Sequence, residues 1–293
     1  MNLSIIETAG LGKRYGHSWA LRDCTLDIPA GHLTALVGPN GAGKTTLMNM
    51  LVGLATPTAG TATLLGSETP GSSAALDGIA FVAQDSPVYK NLSVADMLHL
   101  TRNLNRTFDM GNARARLAGL KIPLKKKSGK LSGGQQAQLA LTLALARRPQ
   151  LLILDEPLAA LDPLARQDFL SSVMTAMADD GVSVVLSSHA LAELERVADY
   201  LVVLAEGEMR LAGVVEDLLA QHRILTGPSA EADVYTKRLS PVQVKRAGAQ
   251  THLLVRSDGP IGADWESAPV SLEELTLAYL RAPATRAIDK EAA

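Results

Sequence analysis

The densest chemistry in the sequence is the run Gly38-Pro39-Asn40-Gly41-Ala42-Gly43-Lys44-Thr45-Thr46. It matches the pattern G-x-x-x-x-G-K-[ST], in which glycines let backbone N–H groups turn inward on phosphate oxygens. A helix N-terminus at the end of the loop adds a favourable dipole. Lys44 is then placed to reach the β- and γ-phosphates of a nucleotide, and the Thr45 hydroxyl to sit on Mg²⁺. A second constellation closes the apolar run Leu151-Leu152-Ile153-Leu154, where Asp155 and Glu156 follow each other. Asp155 suits the shell of a hard cation, and Glu156 suits a base that polarises an attacking water. The third is Leu131-Ser132-Gly133-Gly134-Gln135, a serine and two glycines where a helix begins, which makes a second anion site distinct from the first.

These groups need rigid elements behind them. Leu33 to Val37 predicts a buried strand feeding the glycine loop, and Leu47, Met50, Leu51 and Leu54 recur at helical spacing after it. Before the loop the chain reads as short strands, with Leu21, Cys24, Leu26 and Ile28 alternating against polar residues. Ile79 to Ala83 predicts a strand that delivers Gln84, and Ser93 to Asp96 a capping box at a helix start. Leu131-Ser132 opens a predicted helix running to Arg148, stopped by Pro149. A helix over about 164–179 and a strand over 182–187 come next, leading to His189. Such alternation of strands and helices predicts an α/β layer. Past about His222 the pattern changes. Gly227-Pro228-Ser229 reads as a linker-like break, 251–256 as a strand, and Ser271-Leu272-Glu273-Glu274 as the cap of a last helix with a Leu272, Leu275, Tyr279 stripe. The expected division is a domain over 1–222, with a helical subdomain at about 86–148, and a small accessory unit over 223–293 whose tail after about Pro283 is unstructured.

Bulk properties narrow the function. Of 293 residues, 47% are hydrophobic and 20% charged, which excludes a disordered chain. A formal net charge of -2 provides no basic footprint for nucleic acid. A single cysteine, Cys24, permits no internal disulfide and reads as a buried small hydrophobe. Lys125-Lys126-Lys127 reads as a solvated surface run. No stretch approaches the roughly 18 apolar residues of a membrane span, and no secretory signal is visible, so a cytoplasmic chain is expected. The histidines show no metal-ligand spacing.

The order of the three constellations, with Leu131 to Gln135 deciding, resembles the ATP-binding cassette family from about Leu3 to Ala220. The resemblance implies a mixed-sheet α/β core of the P-loop NTPase kind, an antiparallel β subdomain and an α-helical subdomain, with a small α+β unit appended. It makes Tyr15 the aromatic that stacks on adenine, and Gln84 the glutamine that contacts Mg²⁺ and water. Ala159-Ala160-Leu161-Asp162 resembles the segment facing an opposite subunit, and His189 the histidine at the γ-phosphate. Two departures stand out: Ala159 replaces a frequent serine, and Gln138 replaces a frequent arginine, the latter read here as a change in local charge.

In that family ATP lies between the phosphate loop of one cassette and the signature of another. One copy of each motif here therefore implies a dimer of cassettes, homo- or heterodimeric, with Ser132, Gly133, Gly134 and Gln135 completing the opposite site. It also implies membrane-spanning partners on a separate chain, docked near 85–94 at the inner face of the membrane. The Ser271 to Leu275 segment with Leu280 resembles tails of bacterial export-type cassettes, so the expected function is an ATPase subunit powering export of a drug, antibiotic or lipid-like molecule. An importer subunit is the alternative, and a non-transport ATP-gated switch a further one. The absence of an Asn-Lys-x-Asp motif speaks against GTP.

Overall fold

The computed structural model describes residues 3–84, 88–188, 191–256 and 264–282. In chain order the strands are β1 (Ser4–Tyr15), β2 (Ser18–Pro29), β3 (Leu33–Val37), β4 (Ala59–Leu64), β5 (Ile79–Val82), β6 (Leu151–Leu154), β7 (Ser183–Ser188), β8 (Tyr200–Ala205), β9 (Glu208–Val214), β10 (Arg223–Pro228), β11 (Gln243–Ala247), β12 (Gln250–Val255) and β13 (Glu266–Pro269). The α-helices are α1 (Lys44–Leu51), α2 (Ser73–Gly78), α3 (Val94–Leu104), α4 (Met110–Gly119), α5 (Gly133–Leu145), α6 (Pro163–Asp180), α7 (Leu191–Leu194), α8 (Val215–Gln221), α9 (Ala232–Leu239) and α10 (Leu272–Arg281).

A six-stranded sheet in the order β5-β6-β7-β3-β8-β9 forms the centre. Its strands are parallel except β9, which pairs antiparallel with β8. β3 and β6 are buried at every position because both faces of the sheet are covered. Leu151 and Ile153 face a core shared with α1 and the strands β1 and β2. Leu152 and Leu154 face the opposite core, shared with α5 and α6. The continuous apolar runs of the sequence are therefore two alternating sets, one per face.

The β1 and β2 region differs from its sequence expectation. Instead of short strands it forms two strands of 12 residues each, which with β4 make an antiparallel sheet in the order β2-β1-β4. Irregular register between β1 and β2 breaks the alternation along them, so one long ribbon reads as several short ones. Cys24 is fully buried in this ribbon, and burial pushes its thiol up to about 12, which leaves it unreactive.

Helix boundaries shift in two places. α1 stops at Leu51, and Leu54 lies beyond it, 70% exposed. α5 ends at Leu145 rather than Arg148, which stands at φ 53°. α5 itself is apolar nearly all round because it bridges two cores: Ala137, Leu141 and Leu145 meet the sheet layer, while Leu139 and Leu143 pack with α3 and α4. The capping boxes expected at Ser93 and Ser271 are both formed.

Beyond residue 222, β11-β12-β10-β13 form an antiparallel sheet. Gly227-Pro228 is no break in the chain but the end of β10. A Cβ on Gly227 would collide with the Trp265 indole, so the glycine makes room for an aromatic ring. The buried stripe Leu272, Leu275, Ala278 and Tyr279 of α10 joins the core of the six-stranded sheet, while the other face of the small sheet has its own core of Leu225, Tyr235, Leu253 and Trp265. The expected unstructured tail after Pro283 lies outside the described residues.

Candidate functional site

β3 delivers the glycine loop from the middle of the sheet, between β7 and β8. Gly43, the N-cap of α1, stands at φ 102°, with the Ala20 carbonyl 2.6 Å from where a Cβ would sit. Only glycine allows this turn. Lys44 follows with 5% exposure, its Nζ donating to the carbonyls of Gly38 at 2.7 Å and Pro39 at 3.2 Å. The lysine thus folds back over its own loop, and its ammonium lies 3.3 Å from Glu156 Oε1.

The acidic pair stands at the end of β6, two strands away from β3 with β7 between. Asp155 is 2% exposed and Glu156 9%. Thr45 Oγ1 donates to Asp155 Oδ2 at 2.9 Å. On the other side Ser187, near the end of β7, donates from Oγ to Asp155 Oδ1 at 2.8 Å and accepts from the Glu156 backbone N–H at 2.8 Å. The Asp155 N–H in turn donates to the Val82 carbonyl of β5 at 2.9 Å. Glu156 adopts φ 46°, a left-handed conformation rare outside glycine, and the Ser187 bond helps hold it there. Ser187 was not singled out by sequence reasoning. A serine at the end of an apolar strand carries no local signal, because its partners lie 31 and 32 positions away.

Among the described residues no group of three or more His, Cys, Asp or Glu could hold a metal. Mg²⁺ does not require such a group, since it takes one or two protein oxygens and completes its shell with phosphates and water. The Thr45 hydroxyl and the buried Asp155 carboxylate, joined to each other, are a donor set of that kind.

The remaining expected residues are distributed around this centre. Tyr15 ends β1, 55% exposed, with Lys13 Nζ 5.3 Å from its ring centroid. Gln84 is exposed just beyond β5. Ser132 caps α5, accepting from the Gln135 N–H at 3.2 Å while Gln135 Oε1 accepts from the Ser132 N–H at 3.3 Å. Gly134 lies against Ala165 at the start of α6, and Asp162 caps α6 by accepting from Ala165 N–H at 2.9 Å. No hydrogen bond among the described residues joins Ser132 to Gln135 with the loop of residues 38–46. His189 lies outside the described residues. Gln138 changes meaning: it is 6% exposed, and neither amide atom has a hydrogen-bond partner among the described residues. Its difference from arginine therefore concerns a buried polar group, not a surface charge.

A phosphate loop between strand and helix, facing two carboxylates at the end of the next strand but one on a mixed sheet, defines a P-loop nucleotide-binding protein. The family model for ABC transporters matches residues 21–159. Relatives include the "Fe(3+) ions import ATP-binding protein FbpC" of Mesorhizobium japonicum, 35% identical over 74% of this chain and 62% of its own length. The "Thiamine import ATP-binding protein ThiQ" of Shigella flexneri is 32% identical over 67% of this chain and 87% of its own. The "Lantibiotic transport ATP-binding protein SrtF" of Streptococcus pyogenes is 33% identical over 71% and 90%. A solved ATP-binding subunit of an ABC transporter superposes with a TM-score of 0.67 at 27% identity, over 74% of this chain and 93% of that one. The chain belongs to the ABC transporter family as an ATP-binding subunit, and carries the ATPase core of that family. It spans 62% of the length of FbpC, less than two thirds.

Proposed function

We propose that this chain hydrolyses ATP to drive solute across a membrane, working as a pair of cassettes on separate membrane-spanning subunits. The observation that carries the reading is the junction of Lys44, Thr45, Asp155 and Glu156 through Ser187. In the proposed cycle the β- and γ-phosphates replace the Gly38 and Pro39 carbonyls as partners of the Lys44 ammonium. That exchange releases Glu156 from Lys44, and its carboxylate accepts a proton from the water that attacks the γ-phosphorus, as the bond from that phosphorus to the β–γ bridging oxygen breaks and ADP leaves with the electron pair. Thr45 and Asp155, with Gln84, would hold Mg²⁺, which would neutralise phosphate charge there. Tyr15 stacks on adenine, and the Thr46 N–H, with those of Gly41 to Thr45, faces the phosphates.

The second half of each site comes from the opposite cassette. Ser132, Gly133, Gly134 and Gln135 at the N-terminus of α5 complete the γ-phosphate site across the interface, with the Gly133 and Gly134 N–H groups, which the capping box between Ser132 and Gln135 does not use, as its donors, and His189 contacts it from the same chain as the loop. Losing that phosphate removes the contact and lets the pair reopen, which is the work available to a membrane partner. Residues 1–222 form the nucleotide-binding domain in this reading and 223–293 its appendage. No helix among the described residues is long and apolar enough to cross a membrane, which supports a peripheral place at the inner face, the span being left to partners.

For direction, import has better support than the export expected from the C-terminal segment. FbpC and ThiQ are both named for import, and the name of SrtF states transport without direction. Identities of 35%, 32% and 33% to proteins named for three different cargoes favour no one solute. The decisive test is Glu156→Gln. It is expected to keep ATP affinity and lower hydrolysis by roughly 10²–10⁴-fold, with an ATP-bound dimer accumulating in light scattering. Unchanged turnover would remove Glu156 from the reaction. Solute movement in vesicles carrying the chain with its membrane partner then fixes direction.

A further inference from the structure

The sheet of β10 to β13 has α9 on one face and α10 on the other, and α10 leaves part of its face open. There a cavity of about 260 Å³ is lined by Ile224, Gln243, Lys245, His252, Leu254 and Glu274. That volume lies below the roughly 300–1,000 Å³ of drug-sized sites and suits one small metabolite. Strand register explains the lining. Ile224, Leu254 and Gln243 are neighbours across β10, β12 and β11, and the next row places Lys245 opposite His252. The first row makes an apolar floor with one amide, and the second a polar wall.

Two opposite charges share this cavity without pairing. Lys245 forms no hydrogen bond or ion pair among the described residues. Glu274 spends Oε2 on Ser271, accepting from its N–H at 3.0 Å and its hydroxyl at 2.9 Å, which leaves Oε1. The Thr226 hydroxyl holds His252 Nδ1 at 2.8 Å and so sets the ring beside Lys245. An anionic ligand would meet Lys245 favourably and Glu274 unfavourably, and a cation the reverse. Both side chains are exposed to solvent, and a molecule carrying both charges would meet both walls favourably.

We propose that this cavity binds an α-amino acid with an apolar side chain, its carboxylate on Lys245, its ammonium on Glu274 and its side chain over Ile224 and Leu254. The site is tied to the nucleotide layer. Leu272 N–H, in the first turn of α10, donates to Glu195 Oε1 at 3.2 Å, just after α7 and a few positions past His189. α10 also packs on β8 and β9. Occupancy of the cavity therefore alters ATP turnover, a consequence that rests on the ATPase reading above, whereas binding itself does not.

The test is calorimetry on the full chain with the twenty amino acids, L-leucine first, and with 4-methylpentanoate and 3-methylbutylamine, which each lack one charge of leucine. The variants are Lys245→Met and Glu274→Gln, the latter chosen because glutamine preserves a capping box. Saturable one-to-one binding of an apolar amino acid is expected, weakened on the order of tenfold or more by either variant and in either one-charge analogue. No saturable binding across the panel, or binding that both variants keep at full affinity, overturns the site. ATP turnover measured in parallel is expected to change with the amino acid in the parent and not in the variants. Turnover indifferent to a bound amino acid overturns the coupling. Calorimetry needs no hydrolysis, so a chain that fails as an ATPase still decides the binding.

Discussion

At the scale of residues the site is a short relay of hydrogen bonds centred on a serine. Ser187 donates a hydrogen bond to Asp155 and accepts one from the Glu156 N–H, so one hydroxyl orients both the expected cation ligand and the expected base. Removing it leaves the Glu156 N–H without that acceptor in a buried, left-handed stretch of chain. Ser187→Ala is expected to lower ATP turnover by about 10–100-fold, the usual effect of losing an outer-shell partner, and to raise the Mg²⁺ concentration needed for half-maximal rate. Steady-state hydrolysis across a Mg²⁺ titration checks both, and an unshifted titration would exclude a positioning role. The motifs that hold Lys44, Thr45, Asp155 and Glu156 are legible in the sequence because each is contiguous, and the fold brings the two motifs together. Ser187 is not, because nothing beside it in the chain needs it.

At the scale of elements, local signals and long-range packing divide in the same way. Capping boxes at Ser93, Ser132 and Ser271 complete themselves within four residues, so the helix starts they imply are found where the pattern places them. Gly227 is the contrary case. Its neighbours Pro228 and Ser229 suggest a break, yet the residue sits in β10 and owes its lack of a side chain to Trp265 on a later segment. Gly227→Val forces the indole away from Tyr235, with which it now packs at 4.4 Å between ring centroids. Overpacking of this kind costs about 1–3 kcal/mol. Denaturant unfolding followed by tryptophan fluorescence should show that loss while ATP affinity stays at the parent value. Equal stability of the variant would mean that the ring moves aside freely.

For the whole molecule, the seam between the nucleotide layer and the appended sheet is closed by a buried histidine. His222 lies at the turn from α8 into β10, fully buried, with Nδ1 2.6 Å from the Leu218 carbonyl and Nε2 2.9 Å from the Tyr279 hydroxyl. A carbonyl only accepts, so Nδ1 carries the proton and Nε2 accepts from the tyrosine. Burial, and then the nearby positive charge of Arg256, hold its pKa below the ordinary histidine value, against the pull of the Leu218 carbonyl. The unfolded chain therefore takes up this proton first as pH falls. Its contribution to stability is complete above the ordinary value of about 6.5 and is lost as pH drops through and below it. Thermal unfolding between pH 8 and pH 5 should show a loss on the acid side that is smaller in His222→Gln. Parallel curves for the two proteins would rule out His222 as its source.

The sequence alone determined the order of the motifs, the apolar strands behind them and the family, because each of these is written in residues close together along the chain. Tertiary structure decided what those residues are bonded to. It put Ser187 between Asp155 and Glu156, folded Lys44 onto Glu156, and left the buried Gln138 amide with no hydrogen-bond partner among the described residues. It also carried α10 out of the appended unit into the core of the six-stranded sheet. The physical reason is one of range. Backbone geometry and capping act within a turn of helix or a few residues of strand, whereas burial and hydrogen-bond pairing are set by which distant segments the folded sheet brings together.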